Sequence, residues 1–373
     1  RLITDTTTLK PTRQTILDSL AWLVTGLKPG EHVIFHYSGH GGQVRDTNGD
    51  DVLDSVELLR KIHGSGDHGP HALMLSPDGK SIYFLSNRGG SSQVWRLDAT
   101  GEARPVTALP VDVDSFVLSA DGQRLAFSAD VDPACDTLKC SAEHASARAA
   151  SKASGTLYTQ LFVRHWDTWR DGTRAALFVA RLGSSGAVTD EPVRVSRGLE
   201  ADVPTKPFGD DSEYAFSPDG RYLYWSMDAT PGPTFEYNKD GNTQIYVVRR
   251  LDRTNGDITQ VAGGPGGAVR PTPSPDGRSL AFIRRVRGTS VLYVMDLASG
   301  AERPVYGHLD RDLQEVWAVH GVYPGIAWTR DSRSLVFWAG GGLHRLDVAT
   351  RAVTDIPFHV ADTRRVNEAV RFP

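Results

Sequence analysis

Short apolar runs recur along this chain, each behind the same polar phrase. Ser76-Pro77-Asp78-Gly79 precedes Ile82-Tyr83-Phe84, and Ser119-Ala120-Asp121-Gly122 precedes Leu125-Ala126-Phe127. Ser217-Pro218-Asp219-Gly220 precedes Tyr222-Leu223-Tyr224-Trp225, and Ser274-Pro275-Asp276-Gly277 precedes Leu280-Ala281-Phe282. Thr329-Arg330-Asp331-Ser332 precedes Leu335-Val336-Phe337-Trp338. Further strand-like runs follow, such as Val94-Trp95-Arg96-Leu97-Asp98 and Val291-Leu292-Tyr293-Val294-Met295-Asp296. The repeating unit of strand, tight turn, strand, loop and strand predicts the blades of a β-propeller. In the phrase itself, proline presets φ, aspartate accepts turn N–H groups and glycine takes positive φ, so its residues read as structural rather than catalytic.

The motif aspartates lie 43, 98, 57 and 55 positions apart, so the second interval holds one enlarged blade or nearly two. Within it, residues 131–157 form a polar, Ala/Ser/Lys-rich insert, and Arg170-Asp171-Gly172 reads as a hairpin turn between runs 161–169 and 176–182. Five or six blades are expected over residues 71–373, with Trp95, Trp225, Trp317, Trp328 and Trp338 packing between blades. Closure of the ring is left open, since a propeller that does not close exposes strand edges.

The first 58 residues carry a different pattern. Ile16, Leu20, Leu23, Val24 and Leu27 recur at helical spacing, after Pro11-Thr12 and before Pro29-Gly30. A short buried strand, Val33-Ile34-Phe35-His36-Tyr37, then runs into Ser38-Gly39-His40-Gly41-Gly42-Gln43. This reads as a partial α/β unit, with residues 59–70 as a junction.

Composition narrows the function. The 373 residues include 37 Gly and 21 Pro, as many short strands and turns require. A net charge of −4 without a basic stripe gives nucleic acid no electrostatic footprint. No apolar stretch is long enough for a membrane span. The two cysteines, Cys135 and Cys140, are compatible with a local disulfide, which suits an oxidising compartment, or with two free thiols. His144 lies nearby, but the spacing matches no recognised zinc motif.

The segment from Pro11-Thr12-Arg13 through Leu27-Lys28-Pro29-Gly30-Glu31 and His36-Tyr37-Ser38-Gly39-His40-Gly41-Gly42-Gln43 resembles metacaspases and related caspase-like cysteine peptidases. That resemblance implies that His40 is the general base of a Cys-His dyad. The family's cysteine setting, Asp-x-Cys-x-Ser-Gly, does not follow, and neither Cys135 nor Cys140 lies after a buried strand run. Beyond His40, Asp46, Asn48, Asp50, Asp54 and Glu57 occupy positions 1, 3, 5, 9 and 12 of a twelve-residue calcium loop, although Asp51 stands where glycine is favoured. The loop reads either as a weak calcium site or as a solvated acidic turn.

Two further resemblances follow. The Cys135–Cys140 insert, Arg164-His165-Trp166-Asp167-Thr168-Trp169 and Asp202-Val203-Pro204-Thr205-Lys206-Pro207-Phe208-Gly209 are similar to the propeller of prolyl-oligopeptidase-type serine peptidases, over about residues 67–214. Residues 226–238, 263–273 and 317–324 are similar to the TolB-type propeller of certain amidohydrolases, over about 215–373. No Gly-x-Ser-x-Gly elbow and no His-x-His pair occurs, so neither a serine triad nor an amidohydrolase metal centre is assigned. Three resemblances in succession fit a chimeric chain. The expected fold is mainly β: a five- to six-bladed TolB- or WD-like propeller, complete or not, behind a short α/β caspase-like fragment.

Three functions follow from these resemblances. The first is a recognition or substrate-gating module of a hydrolase, taking a peptide or protein ligand at the propeller and lacking its catalytic domain in this chain. The alternatives are a caspase-like peptidase using His40 and a non-catalytic TolB-like interaction scaffold. The propeller resemblance suggests a periplasmic or secreted bacterial protein.

Overall fold

A computed structural model describes residues 73–98, 103–153, 155–159, 163–165, 168–206, 209–229, 244–312 and 323–358. The α/β segment, His40 and the acidic loop from Asp46 to Glu57 lie outside the described residues.

Five four-stranded antiparallel sheets follow one another along the chain. Blade 1 is β1 (Leu73–Leu75), β2 (Ser81–Ser86), β3 (Gln93–Asp98) and β4 (Ala103–Pro105). Blade 2 opens with β5 (Ser115–Leu118) and β6 (Arg124–Val131). An insertion carries helix α1 (Leu138–Ala149) and a small hairpin of β7 (Arg164–His165) and β8 (Thr168–Trp169), and the blade then ends with β9 (Arg174–Arg181) and β10 (Val193–Arg194). Blade 3 is β11 (Tyr214–Phe216), β12 (Tyr222–Asp228), β13 (Tyr246–Asp252) and β14 (Ile258–Ala262). Blade 4 is β15 (Val269–Pro273), β16 (Ser279–Val286), β17 (Thr289–Asp296) and β18 (Glu302–Tyr306). Blade 5 is β19 (Ile326–Trp328), β20 (Ser334–Ala339), β21 (Gly342–Asp347) and β22 (Val353–Ile356).

The polar phrase makes the same turn in all five blades. Its first hydroxyl donates to the aspartate carboxylate, as Ser76 Oγ does to Asp78 Oδ1 at 2.6 Å. That carboxylate accepts the N–H two residues on, and the hydroxyl accepts the N–H five residues on, as Lys80 and Ser81 show at 3.1 and 2.9 Å. The set repeats at Ser119, Ser217, Ser274 and Thr329. Such side-chain bonds let six consecutive residues close the turn without tertiary help.

The central strands are apolar almost without interruption because each blade lies between two others. In β9, every residue from Ala175 to Ala180 is buried. Blade 3 shows how the faces are shared. Leu223 and Trp225 pack towards blade 2 with Leu177, whereas Tyr224 packs towards blade 4 with Leu280 and Phe282. Phe116, Phe127 and Phe178 join blade 2 to Tyr83 and Val94 of blade 1, and Leu335 and Phe337 join blade 5 to Ile283 and Leu292 of blade 4. Each such large side chain contributes about 1.5–3 kcal/mol on burial. The first strands β5, β11, β15 and β19 contact one another in succession and so lie innermost.

The long interval is one enlarged blade rather than nearly two, and five blades, within the five or six expected, occur among the described residues. The structure corrects two other expectations. The hairpin expected at Arg170-Asp171-Gly172 does not form between its two flanking runs, because β9 pairs with β6 over eight residues instead. Long in-register pairing of two buried strands outweighs a local turn signal. The tryptophans also divide. Trp225 is fully buried between blades, and Trp328 donates from blade 5 to the Thr272 carbonyl of blade 4 at 2.8 Å. Trp95 bonds the Ser86 carbonyl of its own blade at 3.1 Å, Trp338 is 40% exposed, and Trp317 lies outside the described residues.

Candidate functional site

Each innermost strand runs towards its polar turn, so the five turns share one end of the propeller. The opposite end, the mouth, collects the starts of the first strands and the ends of the second. Charged residues concentrate there.

Between blades 2 and 3, Lys206 Nζ meets Asp130 Oδ2 at 2.5 Å. Asp114 and Asp202 stand close enough to the ammonium to act on it electrostatically. Asp202 is buried and accepts the Ala175 N–H at 2.8 Å, and burial pushes its carboxyl up. Asp114 reaches solvent on one side, but protein crowds the rest of its carboxyl. That crowding, followed by repulsion from Asp130, pushes it up to about 7. Behind it, Ser115 Oγ bonds Ser128 Oγ at 2.6 Å and Tyr214 OH at 2.8 Å, a chain of hydroxyls with no imidazole in it.

Between blades 3 and 4 the charges are deeper. β15 carries a register irregularity between Val269 and Thr272, and within it Arg270 adopts φ 62°, a left-handed conformation. For a side chain with Cβ that conformation costs of order 1–3 kcal/mol. It aims the guanidinium across to blade 3, where Nε meets Glu213 Oε1 at 3.2 Å and Nη1 meets Asp210 Oδ1 at 3.1 Å. The Arg270 N–H donates to Ser226 Oγ at 3.1 Å, which also ties the bulge to blade 3. Beside them, burial and then Asp210 push the Asp211 carboxyl up to about 7, with Arg270 opposing. Arg285 Nη1 stands 3.7 Å from Asp312 Oδ1, and Ser290 Oγ donates to Asp312 Oδ2 at 2.8 Å. Burial drives the Tyr246 and Tyr323 phenols up, keeping both neutral.

The mouth is therefore rich in carboxylates, with Lys206, Arg270 and Arg285 set among them. Such a charge pattern favours a cationic group over an anionic one. Among the described residues its carboxylates do not converge as metal ligands; the cluster with that geometry is Cys135, Cys140 and His144, away from the axis. Cys135 and Cys140 are joined as a disulfide. The local pairing left open by the sequence is thus made, and it consumes both cysteines of the chain.

The residues singled out from sequence, His40 and the set Asp46, Asn48, Asp50, Asp54 and Glu57, are not placed by the structure. Asp210, Asp211, Glu213 and Arg270 were not singled out. Two signals mark them: an acidic run abutting the strand start at Tyr214, and an arginine inside a short strand after a glycine-rich loop.

Residues 2–62 match the family model described as metacaspase, peptidase C14 domain. Metacaspase-1 of Schizosaccharomyces pombe is 48% identical over 72 residues, covering 18% of this chain and 17% of that protein. Dipeptidyl-peptidase 5 of Porphyromonas gingivalis is 28% identical over 268 residues, covering 70% of this chain and 36% of that protein. The chain thus spans little more than a third of the length of this peptidase relative. Among solved structures, TolB from Acinetobacter baumannii aligns with a TM-score of 0.47 and 14% identity, covering 77% of this chain and 54% of that one. The chain is composite in its likenesses: metacaspase-like at its start, and similar to a dipeptidyl-peptidase across much of its length.

Proposed function

We propose that the propeller is the recognition and gating module of a peptidase-type hydrolase, and that its mouth takes the protonated amino end of a peptide. The observation that carries this reading is the gathering of Asp114, Asp130, Asp210 and Asp211 at one end of the propeller, with the buried Asp202 and Glu213 behind them. A propeller end rich in carboxylates attracts an ammonium group and repels acidic segments. The likeness to dipeptidyl-peptidase 5, whose name denotes action at peptide ends, supports the same ligand class. The disulfide supports a periplasmic or secreted location.

Fluorescence anisotropy with a labelled tetrapeptide and its N-acetylated form tests the reading. The free amine is expected to bind about tenfold more tightly, the equivalent of one charge-assisted contact of about 1.4 kcal/mol. The preference should vanish in an Asp210→Asn/Asp211→Asn variant. Equal binding of the two peptides by the unaltered chain would overturn it.

A further inference from the structure

We propose that Cys135, Cys140 and His144 form a redox-gated metal site. As a disulfide the cysteines take no metal; once reduced, two thiolates and an imidazole hold a thiophilic divalent cation, zinc(II) being the best fit. Cys140 and His144 are four residues apart on α1 and therefore share one helix face. Thr137 caps that helix by accepting the Cys140 N–H at 3.1 Å, which holds the first turn in place. Cys135 sits in the turn before it, where its N–H bonds the Asp132 carbonyl at 3.0 Å. Asp132 in turn donates its N–H to Ser141 Oγ on α1 at 2.8 Å, so bonds other than the disulfide also fasten turn to helix.

The ligand atoms of the three residues lie within 4.8 Å of one another. Cys135 Sγ and His144 Nδ1 are 3.6 Å apart. Zinc–sulfur and zinc–nitrogen bonds of about 2.3 and 2.0 Å across a tetrahedral angle separate such atoms by about 3.5 Å. This pair thus already stands at coordination spacing. Asp132 Oδ2 lies 2.9 Å from the same Nδ1 and supplies the fourth ligand once the imidazole proton moves to Nε2 and the metal stands between the two atoms. Arg148 Nη1, 3.1 Å from that oxygen, steadies it from outside.

The chemistry balances with a dithiol reductant. Two electrons and two protons pass from the dithiol to the Cys135–Cys140 bond, the dithiol becomes its own disulfide, and zinc(II) then displaces both thiol protons. Because Asp132 directly follows the mouth-end residues of β6, the site lies on the rim of the propeller mouth.

The test uses the full chain and cobalt(II) as probe. A phosphine reduces the disulfide, leaving as its oxide while water supplies the oxygen and both protons. The chain has only two cysteines, so a thiolate-to-cobalt charge-transfer band reports on this pair alone. One cobalt per chain is expected to bind after reduction and not before, and one equivalent of zinc(II) should displace it. His144→Ala should weaken binding at least tenfold, and Cys135→Ser/Cys140→Ser should abolish the band. Circular dichroism monitors the fold. The proposal fails if reduction leaves the spectrum intact but no band appears, if His144→Ala binds as tightly as the unaltered chain, or if reduction alone unfolds the protein.

Discussion

Arg270 of blade 4 meets Glu213 of blade 3 at 3.2 Å, and the glutamate side chain is completely buried. The arginine reaches it from a strained bulge, so the local backbone cost is offset by an ion pair between blades. The innermost strands are short, which makes such cross-blade polar contacts a large share of what fixes blade 4 against blade 3 near the axis.

Arg270→Met should therefore destabilise the propeller by about 3 kcal/mol, because it removes a compensating charge from a buried carboxylate. Adding Glu213→Gln should restore more than half of that loss. Urea midpoints of the two variants decide it, and a double variant no better than the single one would show that the pair contributes little.

Ser332 replaces the glycine of the repeated turn and keeps its left-handed backbone, at φ 58°. It compensates by accepting the Asp276 N–H of the neighbouring blade's turn through Oγ at 3.0 Å. Ser332→Ala, which loses the bond and keeps the strain, should cost about 1 kcal/mol. Ser332→Gly loses the bond and relieves the strain, so it should come out near neutral. Equal losses in thermal unfolding would mean that the strain is unimportant.

The raised Asp211 carboxyl gives a pH signature. Its folded value of about 7 exceeds the unfolded value, so the folded chain binds the extra proton between about pH 4 and 7. This group's contribution to stability consequently falls as pH rises through that window and is flat above it. Asp211→Asn should match the unaltered chain at pH 4 and melt several degrees higher at pH 8, with the gap opening between the two pKa values. A difference that does not change with pH would contradict the assignment.

Caspase-type turnover by the two cysteines of this chain is not expected. Both are consumed by their mutual disulfide, so neither offers a thiolate to His40. Arg- and Lys-directed peptide substrates should be left intact by the oxidised chain. Turnover lost in both Cys135→Ala and His40→Ala variants would reverse this conclusion.

The blade turns were legible in the sequence because each is closed by bonds within six consecutive residues. One hydroxyl, one carboxylate and one left-handed residue suffice, and those residue types recur in order. The apolar runs likewise reveal the sheets, since a strand buried on both faces must be apolar throughout. The enlarged blade, the β6–β9 pairing and the cross-blade contacts depended on the tertiary structure. Arg270 and Glu213 are far apart in sequence, as are Ser332 and Asp276, and nothing local in either pair names its partner. The same holds for the mouth: single aspartates before separate strands look like solvated loop residues until the radial packing gathers them. The two cysteines stood between free thiols and a bond, and it took the turn before α1, with Cα atoms 5.6 Å apart, to decide for the bond.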